Sequence, residues 1–272
     1  SELMRSIAGA QRPGTRAWLR AWNRWHTMRA TERRGLPRAD AVLCVSEGDA
    51  EGLAPLSDNL IIAPNGVDDD FFEVAPEPPA ESRIFFFGRL DYPPNDHGIA
   101  RFLREGWGLV LDSHPDAYLR LAGAGGSAEL QQLAARTPGV EYVGFVDDLM
   151  EELSAATLTV VPLWAGGGTR LKVLESLAAA RPVVGTSLGV EGVGFESERH
   201  GLVADSSAGM AAAVTRLLDD GELRARLARQ GRELAERFRW PLALAPVEEL
   251  YRRSAASAEI SGGLASSRQR TS

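Results

Sequence analysis

One lysine stands among thirty basic residues: Lys172, in a chain where every other cation of this kind is arginine. A composition this poor in lysine supplies arginine wherever any cation serves. A lone ammonium therefore marks a place where a compact point charge matters, because the two groups are not interchangeable. Its neighbourhood reads Ala165-Gly-Gly-Gly-Thr-Arg-Leu-Lys-Val-Leu-Glu175. Gly166, Gly167 and Gly168 carry no Cβ and let a ligand approach the backbone. A helix beginning near Thr169 would aim free N–H groups and its positive dipole end at the same space, which suits a diphosphate. Lys172 and Glu175 lie three apart, so a cation and a carboxylate share one helical face. The bland alternative is a flexible loop followed by a surface ion pair.

Other residues invite chemistry less strongly. Arg89 follows an apolar run and Gly88, which hangs a guanidinium over a strand end or pairs it with Asp91. Gly123-Ala-Gly-Gly-Ser-Ala128 matches the dinucleotide pattern G-x-G-x-x-A, with Glu141 near the interval of a ribose-binding acid. On that motif alone rests one alternative, an NAD-dependent oxidoreductase. The motif follows the second strand of its unit rather than the first, so a close backbone turn near a ligand is the preferred reading. Asp68-Asp69-Asp70 and Asp147-Asp148 read as a turn and a helix start, not as metal ligands. The four histidines share no metal spacing, and His97 reads as a loop residue near the site.

These residues need elements to position them. Apolar runs at 84–87, 117–122, 140–143, 157–161, 182–185 and 201–204 read as strands. Helical patterns lie between most of them, at about 96–112, 128–136, 147–155 and 169–180. Strands alternating with helices predict a parallel sheet covered on both faces. Three further helices are expected, at 207–218, 221–237 and 241–257, with a disordered tail at 258–272. Upstream, 41–45 and 60–63 read as two strands around a short polar helix, and the proline-rich 73–82 as a linker. In such a sheet ligands bind outside the carboxyl ends of the strands, so the residues after each strand describe the site. Those turns carry Gly88-Arg89, Gly123–Ser127, Gly144-Phe145 and the 162–170 loop.

The chain has 272 residues, 44% hydrophobic and 25% charged, an ordinary globular profile. A single cysteine excludes an internal disulfide and suits a reducing, cytoplasmic setting. No run is long enough to span a bilayer. Net charge is −7, yet residues 1–38 carry nine arginines against two glutamates. The acidic remainder argues against nucleic acid as a partner. Residues 15–34 read as a basic helix with Trp18, Trp22 and Trp25 on one face. That face either packs into a domain or makes peripheral contact with an anionic membrane, with packing the favoured reading.

Ordered pieces along the chain resemble one family. They are Ala39–Ser46, Pro64-Asn-Gly-Val-Asp68, Phe87-Gly-Arg-Leu90, Gly144-Phe-Val-Asp-Asp148, the 166–175 segment, Arg181-Pro-Val-Val184 and Phe238-Arg-Trp240. Together they resemble glycosyltransferase family 4, the glycosyl transferases group 1, whose fold is the two-domain GT-B type. The resemblance implies an α/β architecture: a doubly wound, Rossmann-like donor domain over 83–240, joined by the linker to an incomplete second Rossmann-like domain in 1–72. The helix at 241–257 would cross back to that first domain. Arg89 and Lys172 would hold the donor diphosphate and stabilise its developing charge. Gly88 and the amides of Gly167, Gly168 and Thr169 would line the pocket, Glu175 would bind the ribose, and Gly144-Phe145 would lie beside the base. The implied activity moves a sugar from a UDP- or GDP-linked donor to a glycan or lipid-linked hydroxyl acceptor, with retention and without a metal or other cofactor. The family's second glutamate falls on Gly167 here, and its lysine after the Gly-Arg turn gives way to Pro93-Pro94-Asn95. Only the end of an acceptor domain is matched. The alternative is thus a catalytically incomplete nucleotide-binding module or partner subunit that lacks most of the acceptor domain, with a complementary chain carrying the missing part; the expected place is the cytoplasm, including the inner face of the membrane. Whether the sequence is a fragment or an intact protein stays open.

Overall fold

A computed structural model of the chain describes residues 15–168 and 170–268. It begins with helix α1 (Arg16–Gly35). Strand β1 (Val42–Cys44), helix α2 (Glu47–Leu53) and strand β2 (Leu60–Ile62) follow. The two strands pair in parallel, which the intervening helix makes possible. Parallel sheets normally bury both faces, but here Leu43 and Ile62 are exposed. Leu19, Trp22 and Met28 on α1 are exposed as well. No described helix is long and apolar enough to cross a membrane.

The remaining strands make one sheet. In chain order come β3 (Arg83–Phe87), α3 (Pro93–Glu105), α4 (Trp107–Ser113), β4 (Tyr118–Ala122), α5 (Ala128–Arg136) and β5 (Val140–Gly144). Then come α6 (Leu149–Ala155), β6 (Leu158–Val161), α7 (Leu171–Ala178), β7 (Val183–Gly185) and β8 (Gly201–Val203). Helices α8 (Ser207–Asp219), α9 (Gly221–Glu236) and α10 (Trp240–Arg268) close the chain. The six strands are all parallel, in the order β5-β4-β3-β6-β7-β8. Successive side chains of a strand face opposite ways. Ile84 and Phe86 therefore enter the core on one face of the sheet, and Phe85 and Phe87 the core on the other. Truncating either of the fully buried Phe85 or Phe86 to alanine would cost about 3–5 kcal/mol.

Strand order also decides where a ligand can sit. From β3 the chain runs outward through β4 to β5, then returns to the other side of β3 as β6. Between β3 and β6 the winding direction reverses, and the crevice at their carboxyl ends is the natural binding place. Arg181 braces the structure behind it. Its fully buried guanidinium donates to the carbonyls of Leu153, Ser154, Ala180 and Ala75.

Two expectations differ from the structure. The helix expected at 96–112 is two helices, because the chain breaks direction at Gly106, where a Cβ would stand 2.6 Å from the Ser207 carbonyl. Helix α10 runs on to Arg268 through a stretch expected to be a disordered tail, even though Gly262 and Gly263 there each cost a helix about 1 kcal/mol relative to alanine. Residues 269–272 lie outside the described residues.

The first unit is tied to the second by motif residues. Val67 N–H donates to the Phe238 carbonyl at 2.7 Å. The Trp240 indole N–H donates to Asp68 Oδ1 at 2.7 Å. A methyl group on Gly66 would overlap the Trp240 ring. Arg239 pairs with Asp69 and lies 3.7 Å over the Phe72 ring. The aspartate run at 68–70 thus serves as a clamp in which Asp68 and Asp69 have protein partners.

Candidate functional site

Three segments converge at the β3/β6 crevice: the turn after β3, the start of α3, and the loop leading from β6 into α7. Their approach is close. A Cβ on Gly98 of α3 would overlap the Pro162 carbonyl at the end of β6, and one on Gly166 would meet the Tyr92 hydroxyl at 2.9 Å.

Lys172 reaches from the first turn of α7 to the end of β3. Its Nζ donates to Asn95 Oδ1 at 2.8 Å and lies 4.4 Å from the Phe86 ring centroid. A methyl group on Gly88 would stand 2.9 Å from the same nitrogen. Gly88 has φ +137°, outside the comfortable range of other residues. Asn95 is buried, and its Nδ2 donates to the Arg89 carbonyl at 2.7 Å. Removal from water pushes the Lys172 ammonium down to about 7, with the Arg170 charge adding to the fall and Glu175 opposing it. Desolvation pushes Glu175 up to about 7; Lys172 opposes that rise and the charge of Asp68 adds to it. A cation and an acid thus stand one turn apart, both with perturbed protonation, which is a common property of functional clefts.

The start of α7, like those of α3 and α4, carries no side-chain cap. Helices α2, α5, α6, α8 and α9 each begin with a Ser or Asp side chain that accepts one of the helix's free N–H groups. Arg170 occupies the corresponding position of α7 and makes no such cap. Its side chain turns away, is buried, and donates from Nε to the Leu188 carbonyl at 2.9 Å. Free amides and the dipole of α7 are therefore left for an outside anion. Preceding them, Gly166 and Gly168 adopt φ +110° and +95°. Thr169 lies outside the described residues.

The other candidates fall in varied places. Arg89 is 81% exposed and grips Asp91 through two bonds, Nε to Oδ1 at 2.9 Å and Nη2 to Oδ2 at 2.6 Å. To meet a ligand it must leave that partner. Gly144 has φ +72° and its carbonyl accepts from Gly123 N–H at 2.7 Å. Phe145 is 75% exposed at the end of edge strand β5, two strands from β3. Gly167 is partly buried within the loop, and His97 is exposed on α3.

The G-x-G-x-x-A turn is filled by protein. A Cβ on Gly123 would overlap the Gly88 carbonyl, and one on Gly125 would stand 2.7 Å from Asp91 Cβ. The Tyr142 hydroxyl bonds the Gly123 carbonyl at 3.0 Å and the Gly126 N–H at 3.3 Å. Asp96 takes Ser127 N–H at 2.8 Å and its hydroxyl at 3.0 Å. Glu141 pairs with Arg120 at 2.5 Å. Neither a pyrophosphate nor a ribose has room to use these groups, so the motif does not make a dinucleotide site. Sequence reasoning missed Asn95, Arg170 and Tyr142. Of these only Asn95 had a trace in the sequence, as part of the Pro93-Pro94-Asn95 departure from the family pattern.

The family described as glycosyl transferases group 1 matches residues 81–220. This chain belongs to that family. Among sequence relatives of the group 1 chain, phosphatidyl-myo-inositol mannosyltransferase of Mycolicibacterium smegmatis is 30% identical over 205 residues, 72% of this chain and 52% of that protein. Sucrose-phosphate synthase from Thermosynechococcus elongatus superposes with a TM-score of 0.68 at 24% identity, covering 85% of this chain and 62% of that one. S. aureus TarM, solved with fondaparinux, α-GlcNAc-glycerol and UDP, superposes with a TM-score of 0.67 at 16% identity, covering 83% and 46%. The fold is that of GT-B glycosyltransferases. The group 1 chain spans about half the length of the mannosyltransferase it matches.

Proposed function

We propose that this chain binds the nucleoside diphosphate sugar of a glycosyltransferase and supports transfer of the sugar to a hydroxyl acceptor. The observation that carries the reading is the Lys172 ammonium at the β3/β6 crevice, beside the uncapped start of α7. A donor diphosphate there would meet one protonated amine, the α7 amides and the Gly166–Gly168 backbone. Each of these is stronger against the charge that builds on a departing diphosphate than against the intact donor, which is how such contacts accelerate transfer. Arg89 would exchange Asp91 for phosphate oxygens, a bidentate contact for which its fork is suited. Glu175, ionised, would accept the ribose hydroxyls. UDP is the first nucleotide to test, since the similar TarM was solved with UDP.

The test is calorimetric titration of the chain with UDP, GDP and NAD, without added metal, repeated on Lys172→Ala. One nucleoside diphosphate should bind, NAD should not, and the variant should bind about ten- to a hundredfold more weakly, the range for a bond to a charged group. Unchanged binding in Lys172→Ala would overturn the site. A second reading is favoured by the span of about half the mannosyltransferase: the chain binds the nucleotide yet needs acceptor-side elements from elsewhere for turnover. Nucleotide binding with no donor hydrolysis or sugar transfer, restored by a chain carrying the N-terminal part of a relative, would select it.

A further inference from the structure

The donor loops meet through one uncharged side chain to which neither composition nor the family likeness assigned a role. Asn95 sits on the first turn of α3, buried, with both halves of its carboxamide engaged. Their orientation is unambiguous. An ammonium only donates and a carbonyl only accepts, so the oxygen must face Lys172 and the nitrogen the Arg89 carbonyl. The amide is therefore a fixed bridge, anchored at one end to the backbone of the turn after β3 and offering a single acceptor at the other.

A lysine side chain has four rotatable carbons and would sweep a wide space without such a partner. Three contacts confine this one: the Asn95 oxygen at 2.8 Å, the Phe86 ring at 4.4 Å, and the bare backbone of Gly88. Only the first is directional. It consumes one of three N–H donors and leaves two for an anion. A carboxylate in the same place would hold the amine more tightly, but its charge would repel a diphosphate. An amide supplies the acceptor without the charge.

We propose that Asn95 is a positioning residue that holds the Lys172 ammonium and the turn carrying Arg89 in one fixed arrangement facing the donor diphosphate. This rests on the donor-site reading above. Asn95 acts through Lys172 and touches no reacting atom. The charged groups bearing on the amine are Arg170 and Glu175 from its own segment, with Asp68 acting on Glu175 from the first unit. From α3 the amine meets only the neutral amide.

The experiment is a double-mutant cycle on binding of the nucleoside diphosphate, using Lys172→Ala, Asn95→Ser and the pair, together with a pH series on Asn95→Asp. Asn95→Ser should weaken binding about tenfold in the wild-type background and by less than about twofold in Lys172→Ala, because residues that act as one unit are not additive. Asn95→Asp keeps an acceptor for the amine and adds charge beside it, so the alkaline loss of binding should move to higher pH. A full tenfold loss from Asn95→Ser in the Lys172→Ala background would overturn the proposal while leaving the donor site standing. Lys172→Ala binding like wild type would instead overturn the donor site itself. Should Asn95→Ser fail to fold, Asn95→Asp carries the test alone: an unshifted alkaline limb overturns the proposal and an upward shift supports it.

Discussion

Two glycine-rich turns at one sheet edge, each followed by a helix, have opposite fates. The turn at 123–127, after β4, is closed: Gly123 packs on the Gly88 carbonyl, Gly125 on Asp91, and Tyr142 and Asp96 take its polar groups. The turn at 166–168, after β6, is open at Gly168, which has nothing within 4 Å of its Cβ position, and it leads into an uncapped helix. Glycine in both cases permits close approach of another group to the backbone. In the first turn that group is the protein's own neighbouring loop. The second borders the reversal of winding between β3 and β6, where Tyr92 and Pro94 close on Gly166 but leave Gly168 uncovered. Motif composition alone cannot distinguish the two; strand order can.

The largest effect that would test this contrast is Gly123→Ala. Its φ is +156° and the new methyl would overlap a backbone carbonyl rather than a movable side chain. A loss of about 3 kcal/mol or more is expected in denaturant melts, comparable with the larger core defects. Stability within 1 kcal/mol of wild type would show that the turn is looser than its packing implies.

Lys172→Met comes next and carries a pH signature. Lys172 titrates at about 7 in the folded chain against 10.5 as the ordinary value. Between these pH values the unfolded chain holds the extra proton, so stability rises as pH climbs from 7 to 10.5. The cost of the buried ammonium is full below 7. Glu175, raised from 4.5 to about 7, holds its proton in the folded chain between those values, so its contribution falls as pH rises through that window. Burial of the Lys172–Glu175 pair therefore costs the fold most near neutrality. Lys172→Met should melt a few degrees higher than wild type at pH 6, with the gain vanishing toward pH 10.5, and should lose nucleotide binding. A lower melting temperature at pH 6 would show that the contacts of the ammonium outweigh its desolvation.

Much of the scaffold was legible before the structure. Strands buried on both faces, such as Ile84–Phe87, read as unbroken apolar runs, and their alternation with helices implied the parallel sheet. Lys172 stood out through rarity, and the structure places it at the β3/β6 crevice. What could not be read were contacts made by folding: Asn95 and Lys172 are 77 residues apart, and Tyr142 closes a turn 16 to 19 residues earlier from the next strand. Motif matching also concealed division of labour. Pro64–Asp68 and Phe238–Trp240 meet as a clamp between units, and Arg181 braces four carbonyls, so these pieces of the likeness serve architecture rather than the donor. Even Arg89 rests on Asp91.

Gly168→Ala sharpens the contrast at lower cost. With open space around it, the new methyl meets only the backbone penalty of φ +95°, about 1–2 kcal/mol of stability. Affinity for the nucleoside diphosphate should fall about tenfold, since the methyl narrows the space left for the anion and the strained turn shifts the α7 amides. Loss of stability with unchanged affinity would mean that the open turn does not face the ligand.

The smallest effect is the most discriminating. Tyr142→Phe removes a hydroxyl that bridges the Gly123 carbonyl and the Gly126 N–H and leaves the ring in place. Two backbone groups lose a partner, with water able to replace it at the rim, so about 1 kcal/mol of stability should go. Nucleotide affinity should stay within about twofold, because this turn's polar groups face protein and not ligand. A loss of affinity matching that of Gly168→Ala would mean that both turns contact the donor, and the distinction drawn from strand order would fail.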